Sequence, residues 1–265
     1  MKIVDGSLLV SSSKWFFSLL MLVSMPAANA IVSMESVHLG KPPQGFSGQF
    51  ELSFDANYGN TEAANASTGL KLQWSEDHNI DFVLTNYAYG ESAGIRNENN
   101  AFVHVRHIHQ QSSHFAWEAF SQLSNNEFTR LTVRALVGGG VRLALGKPAD
   151  ERAIYLGLSG FYEWEQLDID STANNEQTNE TARGNIYLVM KYRFNSHVAL
   201  VSSTYYQPAV DEVSDYRAIE DASVVSKLTD GLSLRMGVNI QHDSRPPPEV
   251  KKTDSSVNIG LSVDF

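Results

Sequence analysis

The 265-residue chain sets 20 Lys and Arg against 30 Asp and Glu, a formal net charge of -10, and contains no cysteine. Without cysteine there is no disulfide scaffold, thiol nucleophile or thiolate metal ligand. The acidic balance disfavours nucleic acid as a partner, because polyanion binding needs concentrated Lys and Arg.

Residues 1–30 read as a signal peptide. Lys2 and Lys14 precede an apolar run from Trp15 to Met25, and Ala28-Asn29-Ala30 supplies an A-x-A cleavage site. The run falls short of the roughly 20 residues that a membrane-crossing helix needs. Residues 31–45 read as an irregular periplasmic lead-in, where Pro42-Pro43 forbids a regular ladder.

From residue 46 to 265 the texture is strand throughout, in about twelve segments of period-two alternation. The first, Phe46 to Tyr58, sets Phe50, Leu52 and Phe54 against Gln49, Glu51, Ser53 and Asp55. Ala66 to Trp74 follows, then Ile80 to Tyr89, an open loop from Gly90 to Asn100, and Ala101 to Gln110. His114 to Leu123 turns Phe115 and Trp117 away from Glu118. Arg130 to Leu145 opposes a Leu, Val and Ala row to Thr132, Arg134 and Arg142. Arg152 to Leu167 carries Glu163 and Glu165 on its polar face, and the polar stretch from Asp168 to Glu180 reads as a loop. Ala182 to Phe194, His197 to Gln207 and Tyr216 to Leu228 come next, the last blurred by Glu220, Asp221 and Lys227. Leu232 to His242 follows the hairpin signal Asp230-Gly231. Ser256 to Phe265 then alternates without a slip and ends on an aromatic residue.

Connections tend to alternate between tight turns near residues 77, 112, 148, 195 and 230 and open loops near 95, 174, 212 and 248. Together with the leader and the all-strand texture, this predicts an all-β transmembrane antiparallel up-and-down barrel of about 12 strands. Its short turns would lie on the periplasmic side and its longer loops outside. Lipid leaves no partner for an unpaired sheet edge, so the sheet must close. Tyr58, Trp74, Trp117, Trp164, Tyr192 and Phe265 are candidates for the interfacial aromatic girdles.

The segment from Phe115 to Gln122, followed by Arg130, Arg134 and Gly138-Gly139-Gly140-Val141-Arg142-Leu143, resembles the core of domain-of-unknown-function family 481 (DUF481). Members of that family are often labelled salt-induced outer membrane proteins. The resemblance spans roughly residues 45–265. It implies a barrel in the outer membrane of a Gram-negative bacterium, and brings no agreed activity, substrate or catalytic residue. A terminal Phe265 resembles the end by which such barrels are recognised by the barrel assembly machinery, and lipopolysaccharide-bearing lipid would surround the wall.

The candidate lumen-lining residues are Glu51, Asp55, Lys71, Arg106, Glu118, Arg134, Arg142, Glu163, Glu165, Lys191, Arg193 and Arg235. Twelve strands about 4.8 Å apart and tilted near 40° enclose a backbone diameter of roughly 24 Å, which side chains narrow to a passage on the order of 10 Å or close. A small channel for ions or small solutes, with both signs of charge in its interior, is the leading expectation. One alternative is a barrel plugged by pairing of those same charges. Another is an adhesive barrel acting through loops 168–180 and 243–254, and a third is a hydrolase using Glu163, Glu165 and His242-Asp243. No cofactor is expected. His107 and His109 share a face while His104 falls on the other, so the three make no convergent metal site, and Gly138 to Gly140 lack the Lys-Ser/Thr of a phosphate loop.

Overall fold

A computed structural model describes residues 44–57, 63–146, 151–170 and 177–265. The leader, the lead-in up to residue 43, Tyr58 and the segments 147–150 and 171–176 lie outside the described residues. Twelve antiparallel strands close into one barrel in simple sequence order: β1 (Gly45–Asn57), β2 (Ala63–Glu76), β3 (Asn79–Ser92), β4 (Ile95–Gln110), β5 (Phe115–Asn126), β6 (Leu131–Ala144), β7 (Arg152–Leu167), β8 (Thr178–Arg193), β9 (Val198–Pro208), β10 (Tyr216–Lys227), β11 (Leu232–Asp243) and β12 (Thr253–Asp264). The seam between β1 and β12 is closed by a ladder from Gln49 opposite Asp264 to Ser53 opposite Gly260, and by backbone bonds exchanged between Gly48 and Phe265, at 2.7 and 2.9 Å.

Alternation fixes the register, because a one-residue slip would send every outward side chain inward. Phe50, Leu52, Val103, Val105, Leu158, Leu188, Met236 and Ile259 are exposed on the outer face, an apolar surface far larger than a water-soluble chain presents. Lipid solvates that surface. At the end bearing the β2–β3, β8–β9 and β10–β11 turns, Trp74, Trp117, Tyr192 and Phe265 face outward, as a membrane-interface girdle requires. Trp164 is half-buried at the opposite end of β7.

The open loop expected from Gly90 to Asn100 is instead a two-residue hairpin. Ala93 and Gly94 take φ of 50° and 76°, the left-handed pair that matches strand twist. A register shift between Gly90 and Glu91 precedes it. Asn97, Glu98, Asn99 and Asn100 are polar on both faces, so alternation could not reveal that β3 and β4 run on. The longest fully described connections are 209–215 and 244–252, both at the opposite end from the girdle above. By the loop rule that end is the outer mouth.

Candidate functional site: the barrel interior

The interior carries charge at two levels. Just inside the outer mouth, Glu163 on β7 receives three guanidinium groups. Arg134 on β6 reaches it through Nε at 2.7 Å, Arg183 on β8 through Nε at 2.5 Å, and Arg217 on β10 through Nη1 at 2.8 and 3.0 Å. Arg217 also donates to Glu165 at 3.0 Å and, through Nε, to Asp243 at 3.0 Å; Arg183 forks onto both Asp215 oxygens at 3.0 and 3.3 Å. Arg217 and its Glu163 partner belong to strands that are not neighbours, so the network crosses the interior rather than following the wall. Three arginines stand against four carboxylates here. Glu163 is 1% exposed and Arg183 4%, shut off from water although the wall itself is polar.

About 15 Å lower, by strand rise and tilt, the balance reverses. Lys71, Arg106, Arg142, Lys191 and Arg235 stand on interior positions of β2, β4, β6, β8 and β11, with Glu118, Glu51 and Asp221 as the carboxylates they meet. Arg106 approaches Glu118 at 3.6 Å, and Arg235 approaches Glu51 at 3.6 Å and Asp221 at 3.4 Å. Aromatic rings fill the gaps between the cations. Lys71 lies 4.8 Å from the Phe82 centroid, Arg142 4.1 Å from Tyr155, and Arg106 within 5.8 Å of Phe82, Phe120 and Tyr187. A ring's negative face stabilises a cation held out of water. Tyr187 on β8 donates to Glu118 on β5 at 2.8 Å, three strands away, and so bridges the interior at this level too.

Close packing needs missing side chains on the wall behind these groups. A Cβ at Gly157 would fall 1.9 Å from the Tyr187 ring, and one at Gly138 would fall 2.6 Å from the Phe161 Cβ and 2.8 Å from the tip of Phe120. Gly138, the first of the three glycines of β6, thus makes room for aromatic side chains crossing the interior.

Ten of the twelve candidate residues occupy interior positions as described. The side chain of Asp55 lies outside the described residues, and Arg193, the last residue of β8, is exposed at the rim. The acid and base trio of the hydrolase expectation does not assemble. His242 faces outward, stacked on Tyr216 at 5.4 Å and bonded to Thr253 Oγ1 at 2.8 Å, whereas Glu163 and Glu165 turn inward. His104 is buried inside, between Phe82 and Phe120, while His107 bonds Asp81 on the outer face. Among the described residues no group of three His, Asp or Glu side chains is placed to hold a metal.

Arg183 and Arg217 were missed as candidates. Both share the odd-numbered parity of Lys191 and Asp221 on their own strands, which was the available signal. On β10 it was obscured by Glu220, an outward-facing carboxylate that accepts from Ser202 at 2.8 Å and from Thr204.

A closed twelve-stranded wall, apolar outside and charged within, defines an outer-membrane β-barrel. The chain belongs to the family described as "Protein of unknown function, DUF481", whose pattern matches residues 50–265. No curated protein matches the sequence significantly. Among solved structures the fold is similar to the NanC porin, with 10% identity, 82% of this chain and 98% of that one covered, and a TM-score of 0.51. Weaker likenesses link it to the KdgM porin in complex with disordered oligogalacturonate (10% identity, 83% and 99% covered, TM-score 0.45) and to the translocator domain of the autotransporter NalP from Neisseria meningitidis (10% identity, 86% and 91% covered, TM-score 0.45). These similarities concern the fold alone.

Proposed function

We propose that the barrel is a small-solute channel of the outer membrane, closed in this conformation at the Glu163 network and selective for anions at the cationic level below it. The observation that carries this reading is the convergence of Arg134, Arg183 and Arg217 on one carboxylate across the interior. Taking charges out of water costs several kcal/mol per ion, and apolar packing fills a barrel at least as well. A charged closure is therefore better explained by a need to rearrange than by a need to fill space. Five cations against three carboxylates at the lower level give a positive field that favours small anions.

Recordings across planar bilayers with a KCl gradient test both halves of the proposal. The expected result is infrequent openings with a reversal potential favouring chloride. Arg217→Ala should open more often, and Lys71→Glu with Lys191→Glu should move the reversal potential toward potassium. A permanently filled barrel is the competing reading, favoured by the burial of Arg106 and Glu163 to 2% and 1% exposure. Absence of current above leak in both the wild type and Arg217→Ala would establish it and end the channel proposal.

A further inference from the structure

The connection from β11 to β12, residues 244–252, does not stay above its own strands. Glu249 bonds Arg130 Nη2 at 2.9 Å, and Arg130 belongs to the hairpin joining β5 to β6. Four strands separate those two hairpins in either direction around the barrel, so they stand diametrically opposite at the outer mouth. A segment rooted at one hairpin and fastened near the other has to run across the opening. Its sequence suits the task, since Pro246-Pro247-Pro248 favours an extended, stiff backbone.

Both ends are anchored. At the root, Ser244 N donates to Tyr216 O at 3.0 Å and Arg245 forks onto Glu212 of the neighbouring loop, with one contact at 2.7 Å. At the far end, Arg130 adds a bond to the Asp168 carbonyl at 3.3 Å. Glu249 itself has φ of +67°, a left-handed conformation that a non-glycine residue adopts at a cost, in a turn closed by Val250 N on Pro247 O at 3.1 Å. The turn would be relaxed by glycine there, yet the position carries a carboxylate that reaches Arg130. Asp243 joins this segment to the interior: one oxygen accepts from Arg245 N at 2.8 Å and the other from Arg217 Nε at 3.0 Å.

We infer that residues 244–252 are a strap over the outer mouth, latched by the Arg130–Glu249 pair and controlling access from outside to the barrel interior. The strap governs entry whether or not a solute then crosses to the other side, so it stands apart from the channel reading.

The absence of cysteine makes the test direct. Ser256→Cys places a thiol on an interior position of β12 near the outer end, and its reaction with a charged, membrane-impermeant methanethiosulfonate is timed on the full-length barrel in liposomes. Unboiled gel mobility confirms the fold of each variant. Labelling should quicken about 2- to 5-fold with Glu249→Gln, with Glu249→Gly or with Arg130→Glu, the range an exposed ion pair supports. The swapped pair Arg130→Glu with Glu249→Arg should return it toward the starting rate. Equal rates in all variants, or a swapped pair as fast as the single variants, would overturn the latch. A fast Glu249→Gly variant beside a slow Glu249→Gln would do the same, by showing that backbone relief and not the pair sets the rate.

Discussion

The two halves of the wall are built differently. From β3 to β8 the interior positions hold Phe82, His104, Arg106, Phe120, Phe161, Glu163, Arg183 and Tyr187, nearly all buried. From β11 through β12 and β1 to β2 they hold mainly Ser, Asn, Gln and Gly. Gln49, Ser53, Asn65, Ser67, Ser256 and Asn258 there are only partly covered. One half supplies bulk that reaches across the barrel, and the other supplies a thin polar surface for that bulk to approach. Most of the bulk that crosses the interior thus comes from one side, joined by Arg217 of β10.

The sharpest way to break this comparison is to remove the centre of the bulky half. Glu163→Gln leaves Arg134, Arg183 and Arg217 without their shared counter-charge while all three remain buried or nearly so. The expected loss is about 3–5 kcal/mol, the range for an orphaned partner of a buried pair, measured as the shift in urea-induced unfolding from phospholipid vesicles. A loss under 1 kcal/mol would mean that water already screens the network and that the bulky half is not dry.

Much of this was legible in sequence. Alternation located all twelve strands, because lipid and interior impose opposite polarity on successive residues and each mismatch is costly. It placed Arg134, Glu163 and Glu165 on one polar surface, but it could not show that Arg217 spans to Glu163, since contact between non-neighbouring strands depends on barrel size and tilt. The rule of polar residues inside also failed locally. Phe82, Ile108 and Ala116 form an apolar cluster within the barrel, and Tyr187 packs on Val189 and Tyr205. A closed interior needs apolar filling just as a soluble core does, and period two alone does not distinguish an inward phenylalanine from an outward one. On the outer face, Glu220 shows the converse: two hydroxyl groups satisfy a carboxylate where apolar residues were expected.

The same substitution in each half sharpens the comparison. Gly157→Ala drives a methyl group into the Tyr187 ring, at 1.9 and 2.0 Å from its atoms, with the ring already fully buried. Overpacking of this kind costs about 1–3 kcal/mol. Gly237→Ala on β11 meets first the Asn258 amide oxygen at 2.6 Å, the free end of a side chain that has room to turn. Its cost should be within about 1 kcal/mol of zero, partly offset by the lower flexibility of alanine in the unfolded chain. Equal losses at both positions, in the same urea titration, would show that the thin half is as tightly packed as the bulky one.

The smallest expected effect concerns the clamp at the root of the strap. The hydrogen bond from Arg245 holds the Glu212 carboxyl below its ordinary value of 4.5, and the Ser214 hydroxyl lowers it further. A carboxylate whose folded pKa is depressed stabilises the fold above its unfolded pKa and loses that contribution as pH falls through the folded value. Access of the thiol reagent to position 256 should therefore be unchanged between pH 7 and pH 5, after correction for reagent chemistry. It should rise below the ordinary carboxylate range, and Glu212→Gln should lessen that acid-dependent rise while slightly quickening labelling at neutral pH. A step centred between pH 6 and 7 would instead assign the response to a histidine, and would separate the clamp from control of the mouth.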